Sequence, residues 1–266
     1  ELKETVEIKF GDQSFQLPVI TGTYNEKAID IRKLRGQTKY VTLDPGYKNT
    51  GATQSSITYI DGENGVLLHR GYPIEQLAEK AEFLEICYLL FHEELPSQAQ
   101  LDEFKANIKA HTGLPQAVQT ILDALPDDTH PMGMLSTVLS SLSGFFPGSL
   151  DSWSSEEIKW KSIYRLLGNM PVLAAYIYRR QKKLPYIEPD LDKSYVANFL
   201  YMTFVEADEE VAEALDTLLI LHADHEQNCS ASTSRFVGSS HVNLFAAIAA
   251  ANSALWGPLH GGANQK

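Results

Sequence analysis

Through the first 70 residues, apolar and polar positions alternate in short runs: Val6-Glu7-Ile8-Lys9-Phe10, Ile29-Asp30-Ile31, Tyr40-Val41-Thr42-Leu43, Ile57-Thr58-Tyr59-Ile60 and Val66-Leu67-Leu68. A period of two predicts short strands with one face turned inward. Asp44-Pro45-Gly46 and Asp61-Gly62-Glu63-Asn64-Gly65 separate the runs with turn-forming residues. After Gly71 the period lengthens to that of helices. Pro73 opens a helix over Ile74 to Lys80, and Phe83, Leu84, Ile86, Cys87, Leu89, Leu90 and Phe91 mark the apolar face of the next. Ser97 is placed to cap Gln98 to Ala110, where Leu101, Phe104 and Ile108 keep the helical spacing. Further helices are predicted over 115–125, 131–145, 155–183, 192–205, 208–224 and 244–256. The expected fold is mainly α: a multi-helical body over residues 71–266, preceded by a small β-rich segment over residues 1–70.

A chain of 266 residues can bury a sizeable core, and its length leaves one large domain or two smaller ones open. The formal net charge of −12 argues against nucleic-acid binding, because neutralising phosphates takes a basic face. Cys87 and Cys229 are the only cysteines, a sparse pattern that points to a reducing compartment, with the cytoplasm as the expected location. The first residues, ELKETVEIKF, have neither a signal-peptide core nor an Arg-rich transit pattern. The longest apolar run, 244–256, is too short to span a bilayer, so no membrane partner is expected. The sequence stops at Gln265-Lys266 just after a helix start, which reads as a chain cut within its fold.

Two stretches carry candidate chemistry. In Leu255-Trp256-Gly257-Pro258-Leu259-His260-Gly261-Gly262-Ala263-Asn264, Gly257 can take a left-handed cap and Pro258 cannot continue a helix. A new helix is expected from about His260, whose imidazole at a helix N-terminus is favoured neutral and is then a hydrogen-bond donor. Gly261 and Gly262 let a ligand approach the backbone. Such a donor suits a developing enolate oxygen, the role that a neutral His plays in triosephosphate isomerase; the decapeptide alone equally describes a capping residue in a Gly-rich turn. In Leu221-His222-Ala223-Asp224-His225-Glu226-Gln227-Asn228, His222 and His225 stand at i and i+3 and share one helix face, so both imidazoles are expected to point at one ligand. Capping of the helix end, donation to an anionic keto-acid and a zinc site are the three readings, in that order on pattern alone. Asn228 to Ser234, a polar linker, and the 244–256 helix join the two histidine-bearing ends.

LILHADHEQNCSAST and ALWGPLHGGAN, with ITYIDGENGVLLHRGYPIEQLAE (57–79), AIDIRKL (28–34), DDTHPM (127–132) and YRLLGNMPVLAA (164–175), resemble citrate synthase of the longer bacterial type. The resemblance runs along essentially the whole chain, and the HADHEQN and GPLHGGAN motifs are its most specific part. The family fold has two domains and is nearly all α, and the resemblance makes this chain a truncated large domain lacking the small one. It implies an acyltransferase that condenses acetyl-CoA with oxaloacetate in the tricarboxylic acid cycle and hydrolyses citryl-CoA to citrate and CoA. It makes His260 the catalytic imidazole on the thioester carbonyl, His222 and His225 the oxaloacetate-binding pair, and Ser230 the residue that orients the catalytic His. Leu259 and Gly261 become candidate CoA contacts. No metal and no permanently bound cofactor are implied, acetyl-CoA being a co-substrate, and a homodimer or hexamer is expected. The family's catalytic Asp, second catalytic His and carboxylate-clamping Arg residues fall beyond Lys266, so the chain alone is expected to be inactive. Two alternatives stand beside this one: 2-methylcitrate synthase acting on propionyl-CoA, and a non-catalytic helical scaffold that keeps the motifs by descent.

Overall fold

The computed structural model describes residues 4–47, 49–206 and 208–262. The chain divides into two compact units, Glu1–Ser55 and Ser56–Lys266. The first is built on an antiparallel sheet of β1 (Thr5–Phe10), β2 (Gln13–Thr21) and β3 (Lys27–Ile29), in that order. Phe10 pairs with Gln13 across a two-residue turn in which Gly11 takes φ 60°, a conformation without steric cost for glycine. Leu17 on β2 and Leu34 on the short helix α1 (Leu34–Thr38) are buried here. The alternation at Tyr40-Val41-Thr42-Leu43 predicts a strand, and the structure has none there: Val41 and Leu43 are exposed. A strand needs a neighbour for its backbone groups. The stretch instead spends its apolar contact through Tyr40, whose ring stacks on Phe10 with centroids 4.3 Å apart.

In the second unit, β4 (Thr58–Asp61), β5 (Val66–His69) and β6 (Tyr72–Pro73) form another antiparallel sheet. Asp61 accepts from the N–H groups of Glu63 and Asn64 to shape the first turn. Arg70 (φ 51°) and Gly71 (φ 87°) make the second, with positive φ at both centres of a two-residue hairpin. The arginine is held in that unfavourable conformation by its guanidinium, which donates to Ser56 Oγ (2.7 Å) and to the Leu90 carbonyl (2.8 Å). This sheet goes with the helices because Leu67 and Tyr72 pack on Ile74, Leu77, Ile86, Leu89 and Ile220.

Then come α2 (Ile74–Lys80), α3 (Phe83–His92), α4 (Gln98–Ala110), α5 (Gln116–Asp123), α6 (Pro131–Phe145), α7 (Glu156–Gln181), α8 (Tyr195–Phe204), α9 (Glu209–Leu221), α10 (Cys229–Gly238) and α11 (Leu244–Leu255). The described residues thus form a mainly α protein, as the periodicity predicts. Ser97, Ser155, Ser194, Asp208, Asn228 and Asn243 each accept an N–H from the first turn of the helix they precede, satisfying donors that the helix itself leaves free. Val118, Leu122, Met134, Val138, Leu142, Leu173, Ile177 and Phe245 form the main core between α5, α6, α7 and α11. No helix of the described residues is long and apolar enough to cross a membrane.

Pro171 lies inside α7 and has no N–H to give to the Leu167 carbonyl. That carbonyl accepts from the Tyr195 hydroxyl instead, at 2.8 Å, so the helix continues and gains a tie to α8. Burial keeps the Tyr195 phenol protonated, its pKa well above the ordinary value.

At Gly168 of α7 an added Cβ would lie 2.6 Å from Thr112 Oγ1 and 3.0 Å from the Ile108 carbonyl. The threonine cannot simply swing away, because its hydroxyl donates to that same carbonyl at 2.9 Å. Gly168→Ala gains roughly 1 kcal/mol of helix propensity and costs about 1–3 kcal/mol of overpacking, so a net loss of stability is expected. An unchanged or higher midpoint in thermal unfolding would show that α4 and α7 can part without penalty.

Candidate active site

Helix α9 stops at Leu221, so His222 is its C-cap and His225 lies in the loop beyond it. The shared helix face expected for the two histidines is therefore not what joins them. The helix ends because the Ala223 N–H closes a short turn on the Ile220 carbonyl and the Asp224 carboxylate takes the Glu226 N–H (3.0 Å), a local bond that competes with helix. The loop itself then brings the rings together, with centroids 5.7 Å apart and planes at 74°. Both side chains are exposed. His222 Nδ1 lies 2.8 Å from the Leu218 carbonyl. A carbonyl only accepts, so Nδ1 carries a proton and Nε2 is the nitrogen left for a ligand. Glu226, at φ 59°, reaches across to accept the Ile60 N–H of β4 at 3.2 Å.

The second group sits where α10 and α11 pack along one another. Ser230, in the first turn of α10, has its Oγ 2.9 Å from the Ala251 carbonyl and 2.8 Å from His260 Nε2. The chain reaches His260 through a turn that differs from the expected one. Trp256 keeps helical angles at the cap, Gly257 is not left-handed, and its N–H bonds the Ala254 carbonyl. The residue before a proline is disfavoured in the helical region, so α11 does not run on through Gly257. The N–H groups of His260 and Gly262 both donate to the Gly257 carbonyl, at 3.0 and 3.2 Å. At Gly261 a Cβ would lie 2.5 Å from the Leu255 carbonyl and 2.6 Å from Leu255 Cδ1, so glycine is required there by the end of α11 itself. Leu259 is fully exposed. Of the helix expected from His260 onward, the described residues show a turn at His260 and a 3-10 stretch at Gly261 and Gly262; Ala263 and Asn264 lie outside them.

Side chains that periodicity did not single out support this turn. The His130 ring, which caps α6 through Nδ1, stacks on Trp256 with centroids 4.9 Å apart. Asn252 of α11 donates to the Met132 carbonyl (3.1 Å) and to Ser136 Oγ (2.7 Å). No hydrogen bond joins the Ser230–His260 pair to the His222–His225 pair among the described residues; Asn228, capping α10, is the covalent link between them. No group of three or more His, Cys, Asp or Glu among the described residues is arranged to hold a metal ion. A cavity of about 510 Å³ beside α2, α4, α8 and α9 contains none of these groups, and its lysines, Lys105, Lys109 and Lys193, are paired with Glu82, Asp192 and Asp190.

His69 is the other group missed. It is fully buried at the end of β5, with Nδ1 3.1 Å from Thr58 Oγ1 and Nε2 without a partner. The available signal was its place two residues after Leu67, on the same face of the strand. Burial pushes its pKa below the ordinary value of 6.5; the charge of Asp224 opposes the shift and that of His225 adds to it.

Residues 46–266 match the family described as citrate synthase, C-terminal domain. Citrate synthase 1 of Mycobacterium tuberculosis is 45% identical over 98% of this chain, which spans 62% of that relative's length. The crystal structure of citrate synthase from Pyrobaculum aerophilum matches 99% of the chain and 62% of its own, at 30% identity and a TM-score of 0.78. A ternary complex of carboxymethyl coenzyme A and oxaloacetate with citrate synthase from Thermoplasma acidophilum matches 84% of the chain and 58% of its own, at 26% identity and a TM-score of 0.75.

The depressed His69 pKa has a sign. Folded protein binds fewer protons than unfolded protein once the pH falls below 6.5, so stability present above that value is lost on acidification through the lower folded pKa. Urea unfolding midpoints should therefore fall from pH 7.5 to pH 5, and His69→Gln should flatten that fall. An equally steep fall in the variant would mean that the imidazole is accommodated in its charged form.

Proposed function

The chain belongs to the citrate synthase family, and we propose that it is the part of such an enzyme that carries the oxaloacetate-binding histidines and the imidazole that polarises acetyl-CoA. The observation that carries this reading is the 2.8 Å contact between Ser230 Oγ and His260 Nε2, since a catalytic imidazole must be fixed in one orientation and one tautomer. The Ser230 hydroxyl, which donates to the Ala251 carbonyl, also meets Nε2 and so fixes the ring, leaving Nδ1 as the nitrogen turned to a thioester oxygen.

The reaction needs three events. A base, supplied by the length of the relatives that this chain does not span, removes a proton from the acetyl-CoA methyl group while His260 donates to the thioester oxygen on which charge develops. The carbon so activated forms a bond to the keto carbon of oxaloacetate; the keto C=O π bond breaks, and its oxygen takes up one proton, balancing the one lost from the methyl group, to become a hydroxyl. Water then cleaves the citryl-CoA thioester, giving citrate and free CoA. His225, and His222 through Nε2, meet the dicarboxylate. Ligands named for a relative support these substrate classes: carboxymethyl coenzyme A and oxaloacetate in the Thermoplasma acidophilum complex. The proposal extends to a cytoplasmic homo-oligomer serving the tricarboxylic acid cycle, and includes Leu259 and Gly261 as CoA contacts.

In steady-state kinetics of the intact enzyme, His260→Ala should lower kcat by about 10²–10³, the usual effect of removing one preorganised oxyanion donor. Oxaloacetate binding should survive in that variant and weaken when His225 is substituted; an unchanged kcat would return His260 to a simple turn residue. A purified 1–266 polypeptide should release no free CoA from acetyl-CoA and oxaloacetate in a thiol-capture assay, since base and stabiliser act as a unit. The intact enzyme should release it, and faster with acetyl-CoA than with propionyl-CoA. The reverse preference would make it a 2-methylcitrate synthase, a choice worth only about 1–3 kcal/mol in the acyl pocket. Turnover by the 1–266 chain would show that the base lies within it.

A further inference from the structure

Behind the loop that carries His222 and His225 stands the β4–β6 sheet. Ala223 packs with Leu67 and Tyr72 of that sheet on the Ile74, Leu77 and Ile220 cluster, and Glu226 takes the Ile60 N–H on the free edge of β4. Into the same region β5 delivers a wholly buried imidazole, His69, with one nitrogen engaged and one not. Buried polar atoms without partners are few in folded proteins and need a reason. Thr58 Oγ1 can donate to His69 Nδ1, and the tautomer that accepts this bond carries its ring proton on Nε2. In that tautomer an unpartnered donor is buried behind the loop that carries Asp224, and Asp224 already fastens the loop by accepting the Glu226 N–H. The Asp224 charge favours a proton on His69, against the effect of burial.

We propose that His69 is a positioning residue for oxaloacetate binding: its buried Nε2–H donates to the Asp224 carboxylate when the 222–228 loop closes on the keto-acid, and so sets the His225 ring against the ligand. The proposal rests on the reading of His225 as an oxaloacetate-binding group. It assigns His69 no contact with substrate. Leaving the donor unmet in the free loop and meeting it in the bound one makes the tightening of the loop part of the binding free energy for oxaloacetate alone.

The test is made on the intact enzyme with His69→Phe, His69→Gln, Asp224→Asn and the Phe/Asn double variant. Oxaloacetate affinity is read by calorimetry, and KM for each substrate and kcat by kinetics. Loss of an orienting partner typically costs 10–100-fold, so His69→Phe should raise the oxaloacetate Kd and KM about tenfold, with the acetyl-CoA KM and kcat within about twofold. His69→Gln, which places an amide N–H near the Nε2 position, should recover most of the loss. Asp224→Asn should match His69→Phe, and the double variant should be no worse than Asp224→Asn, because coupled partners are not additive. An unchanged oxaloacetate Kd in His69→Phe, an equal rise in KM for both substrates, or additive losses in the double variant would overturn the proposal. If His69→Phe does not fold, His69→Gln with wild-type affinity beside a weakened Asp224→Asn supports it, and wild-type affinity in Asp224→Asn overturns it. Wild-type enzyme that binds oxaloacetate but does not condense it with acetyl-CoA would strike the proposed reaction and leave the His69 measurement readable.

Discussion

Ser230 Oγ reaches the Ala251 carbonyl at 2.9 Å, a distance attained because α11 offers methyl groups where most buried helices offer isobutyl ones. Ala246, Ala247, Ala249, Ala250 and Ala251 make a helix narrow enough for α6 and α10 to lie close along it. A narrow helix buries little apolar area per residue, and burial stabilises at about 25 cal/mol per Å². What holds α11 in place is therefore concentrated in a few positions. Phe245 is wholly buried in the main core, and Asn252 makes two bonds to the start of α6, each worth about 0.5–1.5 kcal/mol net but more if its partner were left buried and unmet. The orientation of His260 depends on that approach, because the hydroxyl touching it belongs to α10 and the turn carrying it to α11.

The loop after α9 solves a different problem. It carries two exposed imidazoles and has little core of its own, and a loop so placed would be expected to open easily. Three bonds restrain it from behind and from its ends: His222 to the Leu218 carbonyl, Asp224 to the Glu226 N–H, and Glu226 to the Ile60 N–H. The last also caps a strand edge that would otherwise show unpaired backbone groups. Capping and ligand binding, set against each other as readings of His222, are compatible: one ring nitrogen serves each.

Helices were legible wherever a start signal stood beside a 3.6-residue period. Ser97 announces α4, and α6 runs over the residues its pattern marks, 131 to 145. The Tyr40 to Leu43 run shows the limit of a period of two, since alternation says which side of a strand would face inward and not whether any strand lies beside it. For the histidines, spacing suggested a shared helix face at His222 and His225, while the pairing arises from a loop whose course depends on the Asp224 side chain. Gly257 shows the same limit: glycine permits a left-handed cap, and Pro258 makes the chain leave α11 another way.

The sequence by itself determined most of the helices, where they begin, and which family the chain resembles, because propensity, capping and motif are local properties carried by neighbouring residues; the run at 40–43, predicted as a strand, and α10, where a polar linker was expected, lay beyond it. Tertiary structure alone decided that Ser230 and His260, 30 positions apart, share a hydrogen bond. It alone decided that Glu226 closes on Ile60, 166 positions away, and that His69 is buried with one nitrogen unmet. Each of these depends on how closely two separately formed elements approach. That distance is set by the summed shapes of every side chain between them, and no stretch of neighbouring residues encodes it.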